Sequence, residues 1–195
     1  MDPPAPSRFS QRQSVRLGSW TMTNRADLAS SYAEVRKWLL NPVFGWDVGI
    51  TLHLPNAMKA ADTRPEFELL KAQVGYFLNA SDRRIHGAAH KNRGVRTPRI
   101  VAYEEEVFVG WHAHITMATP EPVDTAAMLQ QLEKLWRDRV QRYTSARFEK
   151  RLFWGEPIQG SYANYGIKRI LGNPDTPWIN PRGCLDLDKT YLPIL

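Results

Sequence analysis

Between Trp46 and Leu54 the chain alternates without a break. Val48, Ile50, Leu52 and Leu54 fall on one side, and Gly49, Thr51 and His53 on the other. Successive side chains of a strand point to opposite faces, so the pattern predicts a β-strand with one face in a core and the other carrying polar groups. A strand of this kind does not stand alone. It needs partner strands beside it and a layer over its apolar side.

The rest of the chain supplies candidates for both. Leu28, Tyr32, Val35 and Leu39 follow helical spacing from Asp27 to Leu40, and Pro42 ends the run. A second helix is expected from Thr63 to Ala80, with Thr63 as N-cap, Pro65 in the first turn and Phe67, Leu70, Val74, Phe77 and Leu78 as its buried stripe. Arg99 to Tyr103 and Val107 to Met117 read as the arms of an antiparallel hairpin, with Glu104, Glu105 and Glu106 between them. Asp124 or Thr125 caps a helix running to about Tyr143, with Met128, Leu132, Leu135, Trp136 and Val140 facing inward. Arg147 to Trp154 reads as a strand. Tyr162 to Leu171 reads as a short helix between Ser161 as N-cap and Gly172 at its C-terminal cap, and Thr190 to Leu195 as a last strand-like stretch.

The expected fold class is therefore α+β, a central antiparallel sheet of about five strands with flanking helices packed mainly on one face. At 195 residues, 43% of them hydrophobic and seven of them tryptophan, the chain suits one domain over residues 21–195. Residues 1–20 hold three prolines and Arg8, Arg12 and Arg16 without an apolar period, and read as a flexible or peripheral arm. The one cysteine, Cys184, excludes an intramolecular disulfide framework and a Cys-based zinc knuckle. No apolar run approaches the ~20 residues that span a bilayer, and the N-terminal stretch is too polar for a secretory signal, so a soluble, cytoplasmic protein is expected.

Two features point to chemistry. His112 and His114 are two residues apart in an expected strand, so their imidazoles share a face and can close on one cation. Chance alone predicts about 0.13 such pairs from five histidines in 195 residues. The competing explanation is a pair of half-buried, hydrogen-bonded sheet histidines. The second feature is charge. The net charge is +6, and between Ser81 and Arg99 Arg83, Arg84, Lys91, Arg93, Arg96 and Arg99 face a single acid, Asp82, with His86 and His90 interleaved. Such a segment suits contact with a polyanion, whose condensed counterions are released on binding, although a solvated loop would read the same way.

The order of these elements resembles the HUH endonuclease superfamily, specifically the rolling-circle replication initiators with one catalytic tyrosine. Three motifs carry the resemblance, which covers roughly residues 45–169: the apolar strand Gly49-Ile-Thr-Leu-His53, the His-hydrophobic-His signature His112-Ala-His114, and Tyr165-Gly-Ile-Lys168, similar to the family's Tyr-x-x-Lys. It implies a ferredoxin-like nuclease fold. It also implies a third, acidic metal ligand on the strand before the histidines, a role carried here to Glu104, with Glu105 and Glu106 as neighbours that strand parity could exchange for it. Two imidazoles and one carboxylate suit Mn²⁺ or Mg²⁺ with open positions for phosphate oxygens.

By the same resemblance Tyr165 is the nucleophile and Lys168 its cationic partner. The reaction is nicking and rejoining of single-stranded or hairpin DNA at a replication origin, through a 5′-phosphotyrosine linkage. Tyr162 is the alternative nucleophile, and Gly166 weakens the short helix by roughly 1 kcal/mol relative to alanine. His53, Arg83, Arg84, Lys91, Arg93, Arg96 and Arg99 are expected to contact DNA, a separate helicase to open the duplex, and the protein to be a monomer or weak oligomer. Transposase or relaxase activity of the same superfamily stays open. So does a non-catalytic nucleic-acid-binding domain. His114-Ile-Thr116 also fits the His-x-Thr signature of the metal-free 2H phosphoesterases, but the second copy that fold needs is met only by His53-Leu-Pro55, which lacks the hydroxyl.

Overall fold

The computed structural model describes Lys37, Leu39 and residues 41–143, 150–158 and 183–192. Five strands, β1 (Val48–His53), β2 (Arg99–Glu106), β3 (Gly110–Met117), β4 (Phe153–Pro157) and β5 (Gly183–Leu185), form one sheet in the order β4-β1-β3-β2-β5. Every neighbouring pair is antiparallel. Among the described residues four helices accompany it: α1 (Asn56–Ala60), α2 (Glu66–His86), α3 (Ala88–Arg93) and α4 (Thr125–Gln141). The expected α+β class and the five-stranded antiparallel sheet are both present.

The alternation in β1 does what its spacing requires. Val48, Ile50 and Leu52 are fully buried, together with Val101 and Tyr103 of β2 and Ala113, Ile115 and Met117 of β3. Against them pack Leu70, Val74 and Phe77 from α2 and Met128, Leu132, Trp136 and Val140 from α4, with Trp136 meeting Phe77 edge to face at 5.7 Å. Both helices thus lie on one face. The opposite face holds a smaller cluster of Leu39, Ile100 and Ala102 with Trp46, Leu185 and Leu192. Of the two expected caps, Asp124 is the N-cap of α4, its carboxylate accepting from the Ala127 N–H at 2.8 Å, and Thr125 is the first helical residue.

Five features differ from expectation. Thr63 does not cap α2; Pro65 holds that position, and the helix runs six residues past Ala80 because Ser81 donates back to the Phe77 carbonyl and Asp82 continues the buried side. With α3 following it, the basic segment is helical as far as Arg93 apart from Gly87. Glu104, Glu105 and Glu106 are not the hairpin turn but the end of β2, and the chain reverses at Val107-Phe108-Val109, where the Val109 N–H bonds the Glu106 carbonyl. Gly110 sets that turn. It has φ +80°, and a Cβ there would lie 2.7 Å from Glu66 Oε1. Finally, β4 begins at Phe153 after a 3₁₀ turn over Lys150–Leu152, and from the expected last strand Tyr191 makes only an isolated bridge to Arg99. The arm over residues 1–20, most of the helix from Asp27 and the helix Tyr162 to Leu171 lie outside the described residues. Among those described, no helix is long and apolar enough to cross a membrane.

Candidate metal centre

Register decides which polar side chains meet. In the β1–β3 pair Thr51 stands opposite His114 and His53 opposite His112; in the β2–β3 pair Glu104 stands opposite His112. Directly paired residues project from the same face, so these five side chains share the face turned away from α2 and α4. Glu105 pairs with Trp111 on the other face, and Glu106 pairs with Gly110 near the turn and is exposed. Of the three glutamates, Glu104 is the one brought to the histidines.

The geometry is that of a ligand set. His114 Nε2 lies 3.4 Å and His112 Nε2 3.7 Å from the same carboxylate oxygen, Glu104 Oε2, and one donor atom from each residue lies within 4.8 Å of the other two. Metal–ligand bonds of about 2.1 Å place neighbouring donor atoms roughly 3.0–3.4 Å apart, so the two histidine–glutamate distances are near those of a small bound ion, and closing the set fully takes side-chain shifts of about 1 Å or less. All three residues are buried, at 5% exposure for Glu104, 2% for His112 and 6% for His114. A buried carboxylate is costly unless a cation or donors face it, and a cation between two imidazoles and a carboxylate answers all three groups at once. Glu104, His112 and His114 therefore form a buried group suited to hold a metal ion.

The outer nitrogens support this arrangement. His112 Nδ1 is 3.3 Å from the Gly110 carbonyl, which can only accept, so Nδ1 carries the hydrogen and Nε2 keeps its lone pair toward the centre. His114 Nδ1 is 3.1 Å from Thr51 Oγ1, which orients the second ring. The role of Thr51 was not foreseen. Its only sequence signal is a hydroxyl two residues from His53 on the polar side of β1. Thr51→Val is expected to leave the fold intact and to weaken Mn²⁺ binding by about 10- to 100-fold, as loss of such a supporting bond usually does. Titration calorimetry measures this, and an unchanged affinity would remove Thr51 from the site.

His53 stacks on His112, with ring centroids 5.0 Å apart and planes 25° from parallel. Burial, then the neighbouring His112, His114, Lys59 and Arg151, hold its pKa down to about 4, so its imidazole is neutral at physiological pH. It stands at the rim of the group without being one of the three ligands.

The basic segment is placed elsewhere. Arg83, Arg84, Lys91, Arg93 and Arg96 are exposed, but they lie at the far end of the sheet. Glu66 at the start of α2 accepts from the Trp111 N–H beside the metal group, while His86 at its end bonds Thr97, some 30 Å along a 21-residue helix. Arg99, expected to contact DNA, is instead 4% exposed, with Nη1 donating to both carboxylate oxygens of Asp82 at 2.8 Å and Nε donating to the Lys189 carbonyl. The acid counted against the segment is that arginine's buried partner. Among the described residues, cations near the centre are Lys59, which pairs with Glu66 at 2.6 Å and packs on Gly110, and Arg151. Tyr162, Tyr165 and Lys168 lie outside the described residues.

No family model matches the chain, and no curated protein matches it.

Proposed function

We propose that this protein nicks and rejoins single-stranded DNA in a metal-dependent reaction with Tyr165 as nucleophile, as a rolling-circle replication initiator of the HUH type. The observation that carries the proposal is the convergence of His112, His114 and Glu104, on two strands, toward one point. A cation at that point would satisfy two imidazoles and a buried carboxylate together, and the metal-free phosphoesterase signature has no place for Glu104. The motif Tyr165-Gly-Ile-Lys168 follows the histidines in the order and at about the distance that the resemblance requires.

Glu104, His112 and His114 would hold Mn²⁺ or Mg²⁺, which when bound supplies charge stabilisation to the phosphate oxygens. Thr51 and the Gly110 carbonyl keep the two rings turned toward the substrate. Neutral His53, at the rim, can donate a hydrogen bond to a phosphate oxygen. The Tyr165 oxygen attacks phosphorus, the bond from phosphorus to the 3′ oxygen breaks, and that oxygen leaves with the electron pair and takes up a proton. The 5′-phosphate stays on tyrosine, so the bond energy is kept for rejoining. Lys168, three residues after Tyr165 in the sequence, would supply a positive charge that favours phenolate over a phenol of pKa ~10. The exposed basic segment would hold a more distant part of the strand.

The test is a covalent adduct. Incubated with origin-like single-stranded DNA and Mn²⁺, the protein should give a denaturation-resistant protein–DNA band that Tyr165→Phe loses and Tyr162→Phe keeps. Absence of the band with every divalent metal tried would overturn the nuclease proposal, and loss in Tyr162→Phe alone would move the nucleophile.

A further inference from the structure

The hairpin that carries all three members of the metal group ends in an apolar tip. Val107, Phe108 and Val109 are 71%, 97% and 42% exposed, and they occupy the turn itself. A turn has no need of such residues. Three consecutive exposed apolar side chains weaken solubility and persist only where something uses them. The fold does not: Phe108, almost wholly in solvent, covers none of the core.

We propose that Phe108, flanked by Val107 and Val109, stacks on an unpaired base of the DNA strand whose phosphodiester lies at the metal centre. This rests on the function proposed above and adds to it where the substrate runs. The Glu106–Gly110 rung is two residues beyond the Glu104–His112 rung, so at about 3.4 Å per residue the tip stands roughly 10 Å past the centre. A stacked strand advances about 3.4 Å per nucleotide, which brings the tip to a base two or three nucleotides from the phosphodiester, or nearer in an extended strand.

Charge selects the occupant. Glu105 and Glu106 flank the tip, and their carboxylates would repel phosphates or anionic lipid headgroups brought against it. Two copies meeting tip to tip would bring four carboxylates together. A nucleobase offers an apolar π-face and keeps its phosphate to one side, where Lys59 lies against Gly110 and Arg151 stands near His53.

The test uses the full chain in a Tyr165→Phe background, so that binding is read without covalent capture, with Mn²⁺ and mixed-sequence single-stranded oligonucleotides carrying 2-aminopurine at successive positions. Because Phe108 is so exposed, Phe108→Ala should not unfold the protein, and its Mn²⁺ affinity should match the parent's. Its oligonucleotide affinity should fall about 10- to 100-fold, the fluorescence change at one or two probe positions should disappear, and Phe108→Trp should keep both. Equal affinity of parent and Phe108→Ala would overturn the inference while leaving the function proposed for the site standing. The same holds if Phe108→Ala instead abolishes self-association or vesicle binding with DNA affinity unchanged. If the parent binds Mn²⁺ but no oligonucleotide, the DNA function fails and this inference with it.

Discussion

His114→Ala is expected to abolish measurable Mn²⁺ binding and to lower nicking by at least 10²- to 10³-fold, with His112→Ala and Glu104→Ala close behind. Each removes one of the three donor atoms that β2 and β3 bring together. The variants should stay folded, because the three side chains lie on the face away from the main core. Binding should also be visible as stability. At a metal concentration 100 times its dissociation constant the native state gains about 2.7 kcal/mol, which raises the melting temperature of a chain this long by roughly 5–10 °C. EDTA should reverse the shift in the wild type and do nothing to His114→Ala. A His114→Ala protein that binds Mn²⁺ as tightly as wild type would show that the metal, if any, sits elsewhere.

The largest expected loss of stability is at the other end of β2. Arg99→Met leaves the Asp82 carboxylate, 1% exposed, without its guanidinium partner, while the Thr97 N–H still donates to it at 2.9 Å. Removing one partner of a buried, hydrogen-bonded pair typically costs about 3–5 kcal/mol, because the other charge stays behind in low dielectric. For a chain of this size that is a fall in melting temperature of about 6–20 °C. The double substitution Asp82→Leu with Arg99→Met removes both charges and should recover most of the loss. Thermal denaturation of the two single variants and the double variant closes the cycle. A loss below about 1 kcal/mol for Arg99→Met would mean that Asp82 finds water or another cation, and that the pair does not anchor the segment between them.

The same pair shows where linear reasoning stops. Asp82 and Arg99 are 17 residues apart, and in the sequence they are one acid and one base of a strongly basic stretch. Alternation and helical spacing report which residues face inward along one element, but not which buried charge another element will bring to meet it. Ser81 and Asp82 are polar, so they read as the end of a helix, whereas burial of both lets α2 run on to His86. The hairpin turn differs from its expected place for a related reason. Three glutamates look like a turn and Val-Phe-Val like a strand, yet Gly110 at positive φ and the Lys59–Glu66 pair packed on it fix the reversal at the apolar residues.

By itself the sequence determined the half-buried strand at Val48–His53, the helical stripe that α4 buries, and the sharing of one strand face by His112 and His114. Each follows from a local period, 2 for strands and 3.6 for helices, that residues must obey wherever the element lies. The tertiary structure alone decided that Glu104 rather than Glu105 or Glu106 meets the two histidines, that Thr51 bonds His114, that Arg99 is buried, and that the basic segment and the candidate metal centre lie at opposite ends of the sheet. Those outcomes depend on strand register and on which elements pack together, relations between distant parts of the chain that no local period contains.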